Sequence, residues 1–221
     1  MTDEPPVVVI TGGEGALAKA LITGFGAVGW KVHAPGKAEL DVRKSASVAG
    51  WFAGWKRLDL LINNAGLRRD AAFGKITESD WDEVIGVNLT GARRCCQAAI
   101  PIMRQQGQGH IVNIASYTAR HGVAGQAAYG AAKAGLLALT QTLAAECGPY
   151  NIRVNAVLPG WMPTRFNQEV VPAVQEAVRR QHHLGRFNTP RHTAQFIAAL
   201  QQMEHTSGQV FQLDSRPGSW L

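Results

Sequence analysis

Short apolar runs alternate along the chain with longer stretches in which apolar residues recur every three or four positions. Residues 7–11 form a β-branched run closed by Gly12-Gly13, which predicts a buried strand. Residues 16–26 then carry Leu17, Leu21, Ile22 and Phe25 at helical spacing. Residues 31–34 predict a second strand. Residues 45–55 predict a helix with Val48, Trp51, Phe52 and Trp55 on one face and Ser45 as N-cap. The alternation continues with a strand at 58–63, helix over most of 78–106, a strand at 110–115 and an alanine-rich helix at 125–150. A strand at 152–157, helices at 171–182 and 192–203, and a strand at 210–213 complete the pattern. Such alternation predicts an α/β fold, a doubly wound, Rossmann-type parallel sheet flanked by helices. No repeat or linker interrupts it, so residues 1–221 read as a single domain.

One stretch breaks the rhythm. Only about five residues separate the second strand from Leu40-Asp41-Val42, a short extended candidate, whereas a parallel neighbour needs a crossover of about a dozen. Five extended residues reach about 18 Å, which leaves nothing for a helix. The sheet is therefore predicted to be shortened after its second strand.

Composition excludes several function classes. Apolar residues make up 46% and charged residues 17%, enough for a core and too apolar for wholesale disorder. Lys plus Arg number 22 against 16 Asp plus Glu, but the pairs Arg68-Arg69, Arg93-Arg94 and Arg179-Arg180 are scattered. No nucleic-acid partner is expected, while phosphorylated cofactors or acidic carriers would be attracted. No apolar run reaches the roughly 18 residues of a membrane span. Three cysteines, two of them adjacent, build no disulfide framework, so a reduced, cytoplasmic protein without membrane contact is expected.

The candidate chemistry lies at strand ends. Thr11-Gly-Gly-Glu-Gly-Ala-Leu-Ala18 follows the first strand, where glycines let backbone N–H groups approach a pyrophosphate ahead of a helix; a plain glycine turn is the alternative. Asn63-Asn64-Ala65-Gly66 follows a later strand, and its small residues would keep a crevice open; an Asn-rich turn is the alternative. Ser116 ends the strand at 110–115, and Tyr129 and Lys133 stand four apart on the following helix. That spacing puts both on one face, where an ammonium favours the phenolate and predicts a lowered tyrosine pKa. Such a tyrosine exchanges a proton with an alcohol or carbonyl oxygen, and a serine hydroxyl steadies that oxygen. A surface Tyr–Lys pair is the bland alternative.

These motifs, with Asn88 and Pro159-Gly160 in the same order, resemble those of the short-chain dehydrogenase/reductase family over residues 7–214. Gly185-Arg186-Phe187 and Ser207-Gly208-Gln209-Val210 are similar to segments of 3-oxoacyl-acyl carrier protein reductases. The resemblance implies Tyr129 as acid/base, Lys133 as its partner and a bond to the nicotinamide ribose, and Ser116 orienting the substrate oxygen. It further implies a water anchored by Asn88. For the cofactor it implies Gly12, Gly15 and Leu17 at the phosphates, Asn64, Ala65 and Gly66 along the adenosine, and Asp41 and Val42 at the adenine. Pro159, Gly160 and Thr164 would border the nicotinamide. The implied activity is reduction of a carbonyl, or oxidation of a secondary alcohol, with an acyl thioester among the candidate substrates.

Departures from the family pattern are Ala16 and Ala18, where it has glycines and methyl groups are expected to crowd the phosphates and the helix–strand contact, and Asp214-Ser215-Arg216 after the last strand. They motivate the alternative of a cofactor-binding sensor or scaffold with little turnover. Since no acid precedes Glu39 after the second strand, Lys37, helped by Lys19 or His33, is expected to favour NADP(H) over NAD(H). Trp161 is a candidate substrate contact, or a cover over the site. His182-His183 lacks partners at ligand spacing, so no metal is expected and the pair reads as a helix end at the site rim. The helices at 78–106 and 125–150 match those that pair across subunits in similar proteins, so the resemblance implies a homodimer or homotetramer. The stripe Ala92, Cys95, Cys96, Ala99 and Met103 suits such close packing, with burial within the monomer as the alternative.

Overall fold

The computed structural model describes residues 4–218, so both ends of the single-domain expectation, residues 1–3 and 219–221, lie outside the described residues. Six strands form one parallel sheet in the order β2-β1-β3-β4-β5-β6. They are β1 (Val7–Ile10), β2 (Lys31–His33), β3 (Leu60–Asn63), β4 (Gly109–Ile114), β5 (Ile152–Leu158) and β6 (Val210–Gln212). The order reverses between β1 and β3, where Val8 pairs with Leu60 and Ile10 with Ile62. A crevice therefore opens at the carboxyl ends of these two strands.

Strand pleating sends alternate residues to opposite faces, and helices cover both. Val7, Val9, Leu61, Ile111 and Val154 pack with Val48 and Phe52 of α2 (Ser45–Phe52) and with α4 (Ala92–Gln106). Val8, Ile10, Leu60, Ile62 and Val112 pack on the other side against α1 (Ala16–Ala27) and α7 (Pro190–Gln201). The remaining helices are α3 (Glu78–Ile85), α5 (Ala127–Cys147) and α6 (Pro172–Arg180). Among the described residues, no helix is long and apolar enough to cross a membrane.

Three expectations are adjusted. Residues 40–42 form no strand, leaving β2 as the sheet's edge; the His33 ring lies 4.8 Å from that of Trp55 and 6.4 Å from that of Trp51, so aromatic side chains cover this end of the sheet. The helix predicted over 78–106 contains a π-helical turn, Gly86–Gly91, between α3 and α4. The stripe on α4 is wholly buried inside the monomer, with Cys95, Ala99 and Met103 at 0% exposure. It packs on the sheet and cannot serve as a subunit contact.

The turn after β1 is locked from two sides. Gly13 N–H donates to Pro35 O at 3.0 Å, and a Cβ on Gly13 would overlap the carbonyl oxygen of Ala34. Because the obstacle is backbone, Gly13→Ala is expected to lower stability by about 3 kcal/mol, read as a lower urea midpoint at unchanged slope. An unchanged midpoint would contradict this packing.

Candidate active site

The crevice is built from polar side chains that strands hold in place. Asn63 Nδ2 donates to Asn113 Oδ1 at 2.8 Å, and Asn113 Nδ2 donates to Thr140 Oγ1 at 2.9 Å. Thr140 belongs to α5, so this buried chain ties β3 and β4 to the helix that carries Tyr129 and Lys133. Thr11, fully buried at the end of β1, accepts from the backbone N–H groups of Asn64 and Ala65, both at 3.0 Å. Asn64 Nδ2 in turn donates to Thr11 O at 2.9 Å and Gly12 O at 3.3 Å. The two loops after β1 and β3 thus form one unit. Gly12 adopts φ +70°, open to glycine, and a Cβ there would lie 2.9 Å from Ala65 Cα.

Asn88 occupies the π-helical turn, a feature frequent at functional sites. Its Nδ2 donates to Leu67 O at 2.7 Å and to Val84 O at 2.9 Å, while its buried Oδ1 has no partner among the described residues. A Cβ on Gly66 would fall 2.9 Å from that Oδ1 and 3.7 Å from Lys133 Nζ, so glycine keeps a channel open between them. Lys133 Nζ donates to Ile114 O at 2.7 Å and lies 5.6 Å from the Tyr129 ring centroid. Ser116 Oγ accepts from Thr118 N at 3.3 Å and from Thr118 Oγ1 at 2.9 Å. With both lone pairs used, the serine's own proton is left to point elsewhere.

The electrostatics reverse one expectation. Burial pushes the Tyr129 phenol up to about 12, only partly offset by the Ser116 hydroxyl and the Arg68 charge. Burial also pushes the Lys133 ammonium down to about 7. With Lys133 only about half charged at neutral pH, desolvation of the phenol outweighs the proximity that helical spacing alone predicts. Tyr129 lines the cavity and is partly exposed to it, and it holds its proton at neutral pH.

Ser116, Tyr129 and Lys133 stand along one cavity of about 550 Å³, and Asn88 lies outside its lining. At one end lie Gly12, Gly15, Ala16 and Leu17 at the start of α1, whose N-cap residue Gly15 offers no side-chain bond to the first N–H groups. Asn64, Ala65 and Gly66 line the middle. Pro159, Gly160, Thr164 and Trp161 border the other end with Ser116, Tyr129 and Lys133. The uncapped helix start and the continuity of the cavity from there to Tyr129 fit a dinucleotide lying across the strand ends.

Other expectations shift. Ala18 is completely buried in the core beside Leu17 and Leu21, so its methyl packs there and not against the phosphate end, while Ala16 is exposed on the cavity wall. Asp41 and Val42 do line the cavity, but Asp41 is gripped by its neighbour: Arg43 Nε donates to Oδ1 at 3.0 Å and Nη2 to Oδ2 at 2.8 Å. Those bonds hold the carboxyl at about 2. Lys37 is exposed at the same end, beside Glu14. Lys19 lies outside the lining, and the His33 ring is taken up by Trp51 and Trp55, so neither assists Lys37. His182 is buried 3.6 Å from Asp214, whereas His183 is exposed; the pair is split between the wall and the surface.

Several cavity residues escape sequence reasoning. Arg43 follows Asp41 by two positions, and that spacing is their one local signal. Arg68 stands 5.4 Å over the Phe166 ring, itself 6.1 Å from Tyr129, and Arg216 reaches the cavity from the far end of the chain.

A family model described as Enoyl-(Acyl carrier protein) reductase matches residues 8–215. The chain is 41% identical over 160 residues to a 3-oxoacyl-acyl-carrier-protein reductase of Thermotoga maritima, a match covering 72% of this chain and 65% of that protein. It is 36% identical over 198 residues to the protein of the same name in Aquifex aeolicus, covering 87% of this chain and 79% of the relative. An acetoacetyl-CoA reductase of Rhizobium meliloti is 36% identical over 217 residues, covering 88% and 90% respectively.

Proposed function

The chain belongs to the short-chain dehydrogenase/reductase family of nicotinamide-dependent oxidoreductases, and from that premise we propose that it reduces the 3-oxo group of an acyl thioester. The observation that carries this reading is the single cavity joining the start of α1 to Ser116 and Tyr129. When bound there, a nicotinamide cofactor supplies hydride to the carbonyl carbon. Tyr129, protonated at neutral pH, donates its proton to the carbonyl oxygen, and Ser116 turns its O–H from Tyr129 to the same atom when substrate is bound. Lys133, poised near pH 7 and separated from Asn88 Oδ1 by the space that Gly66 leaves unfilled, can take up and pass on a proton there. Trp161 is the proposed cover over the substrate. Titrating NADPH by fluorescence and assaying a panel of ketones with an acetoacetyl thioester among them tests the reading. Turnover on sugars but none on the thioester would remove the thioester assignment, and tight binding without any turnover would favour a sensor.

For the cofactor we favour NADP(H). Lys37 brings positive charge to the adenosine end of the cavity, where Glu14 opposes it and the Arg43 charge is largely balanced by Asp41 and Glu83. Lys37→Ala is expected to weaken NADPH binding about tenfold and NADH binding less than twofold, and Glu14→Gln to tighten NADPH. Equal losses for both cofactors would contradict this choice. A homodimer or homotetramer is also proposed, through the outer face of α5 where Ala131, Ala134 and Ala138 are exposed, with light scattering as its check.

A further inference from the structure

The segment after β6 does more than close the sheet. Asp214 and Arg216 form a buried ion pair, with Arg216 Nε at 2.8 Å and Nη2 at 2.6 Å from Asp214 Oδ2. The other carboxylate oxygen accepts from Gln212 Nε2 at 2.9 Å and from the Arg216 N–H at 3.3 Å. With its carboxylate saturated in this way, the guanidinium is fixed in one orientation.

That guanidinium reaches the residue next to Ser116. Arg216 Cζ lies 3.6 Å from the centroid of the Tyr117 ring. The His121 ring stacks on the same tyrosine at 4.0 Å with an interplanar angle of 14°. Two groups this close to one centroid must occupy opposite faces, so Tyr117 is sandwiched between a cation and an imidazole.

The same segment also holds the helical flap, residues 164–186 around α6, of which Thr164, Val178 and Gln181 line the cavity. His183 N–H donates to Ser215 O at 2.9 Å, and Leu184 N–H donates to Ser215 Oγ at 3.1 Å. His182 Nδ1 bonds Val178 O at 2.8 Å, which turns Nε2 toward Asp214 at 3.6 Å. Asp214 finally rests on the loop beyond β5, since a Cβ on Gly160 would run into its side chain. Three walls of the cavity therefore meet at residues 214–216: the Ser116–Tyr117 turn, the Gly160 loop and the base of α6.

We propose that Asp214-Ser215-Arg216 is a clasp that sets the flap over Ser116 and Tyr129, with Arg216 as its positioning residue. The proposal rests on the reductase reading for its kinetic consequence but not for its mechanical one. Arg165 and Arg186 are exposed near the two ends of the flap and serve as reporters. Trypsin cleavage after these two residues, followed by mass spectrometry, is expected to quicken at least tenfold in Arg216→Ala and in Tyr117→Ala. Tyr117→Phe, which keeps the ring, should be cut at the wild-type rate. On an acetoacetyl thioester, Arg216→Ala should lose about tenfold in kcat with the Kd for NADPH changed less than twofold. If Arg216→Ala does not fold, the Tyr117 pair decides, because equal cleavage of Tyr117→Ala and Tyr117→Phe overturns the clasp. Cleavage of folded Arg216→Ala at the wild-type rate overturns it as well. A wild-type protein that reduces no carbonyl defeats the reductase reading alone, and the cleavage rates then still decide the clasp.

Discussion

Tyr129→Phe is expected to lower kcat for carbonyl reduction about a thousandfold while leaving the Kd for NADPH within twofold. Loss of a positioned general acid costs about 10²–10⁴ in rate, and little in this protein can substitute. The Ser116 hydroxyl can still donate a hydrogen bond but is far too weak an acid to give up its proton. The ring itself remains, so packing against Phe166 at 6.1 Å survives and the fold should not change. The pH dependence follows from burial. With the phenol pushed up to about 12, wild-type reduction should not decline through loss of the tyrosine proton anywhere between pH 6 and 9. The reverse oxidation, which needs the phenolate, should accelerate with rising pH over the same range. A rate of reduction that falls tenfold per unit from pH 7 would mean that the phenol is acidic after all.

Removing Lys133 should separate activity from stability. Lys133→Met is expected to cost at least a hundredfold in kcat, because the group that passes protons behind Tyr129 is lost. Its effect on stability depends on pH, and the sign is set by the depressed ammonium. The folded protein binds the proton only below about 7, whereas an unfolded lysine binds it up to its ordinary 10.5. Between those values the unfolded chain holds more protons, so the wild type gains stability as pH rises, at up to about 1.4 kcal/mol per unit. The buried charge is therefore most costly at and below pH 7, and the variant compares best there despite losing the 2.7 Å bond to Ile114 O. Urea unfolding of both proteins at pH 6.5, 8 and 9.5 measures this. The advantage of wild type over variant should grow steadily across the series, and a constant difference would refute the buried, neutral lysine.

Much of this architecture is legible in the sequence because it is local. Strand-to-helix turns announce themselves through glycine and asparagine, and the four-residue step from Tyr129 to Lys133 fixes a shared helix face whatever surrounds it. The short link between residues 34 and 40 was likewise readable, since chain length alone forbids a crossover helix. What depends on depth or on distant partners was not. The shift of Tyr129 and Lys133 is set by desolvation where α5 packs against β4 and the cavity loops, and spacing carries no information about that. The stripe on α4 has the same composition whether it faces a neighbour or its own sheet, and only packing against Val9, Leu61 and Ile111 distinguishes the two. Arg216 meets Tyr117 across about a hundred residues of chain, beyond the reach of any local pattern.

The most direct test of the central claim, that one cavity brings hydride and the Tyr129 proton to the same carbonyl, is transfer of isotope. NADPH labelled with deuterium at the transferable position of its nicotinamide would be incubated with the protein and an acetoacetyl thioester, and the product examined by mass spectrometry. One deuterium is expected on the carbinol carbon with wild type, and almost none in the same time with Tyr129→Phe. Unlabelled product, or equal labelling by both proteins, would contradict it.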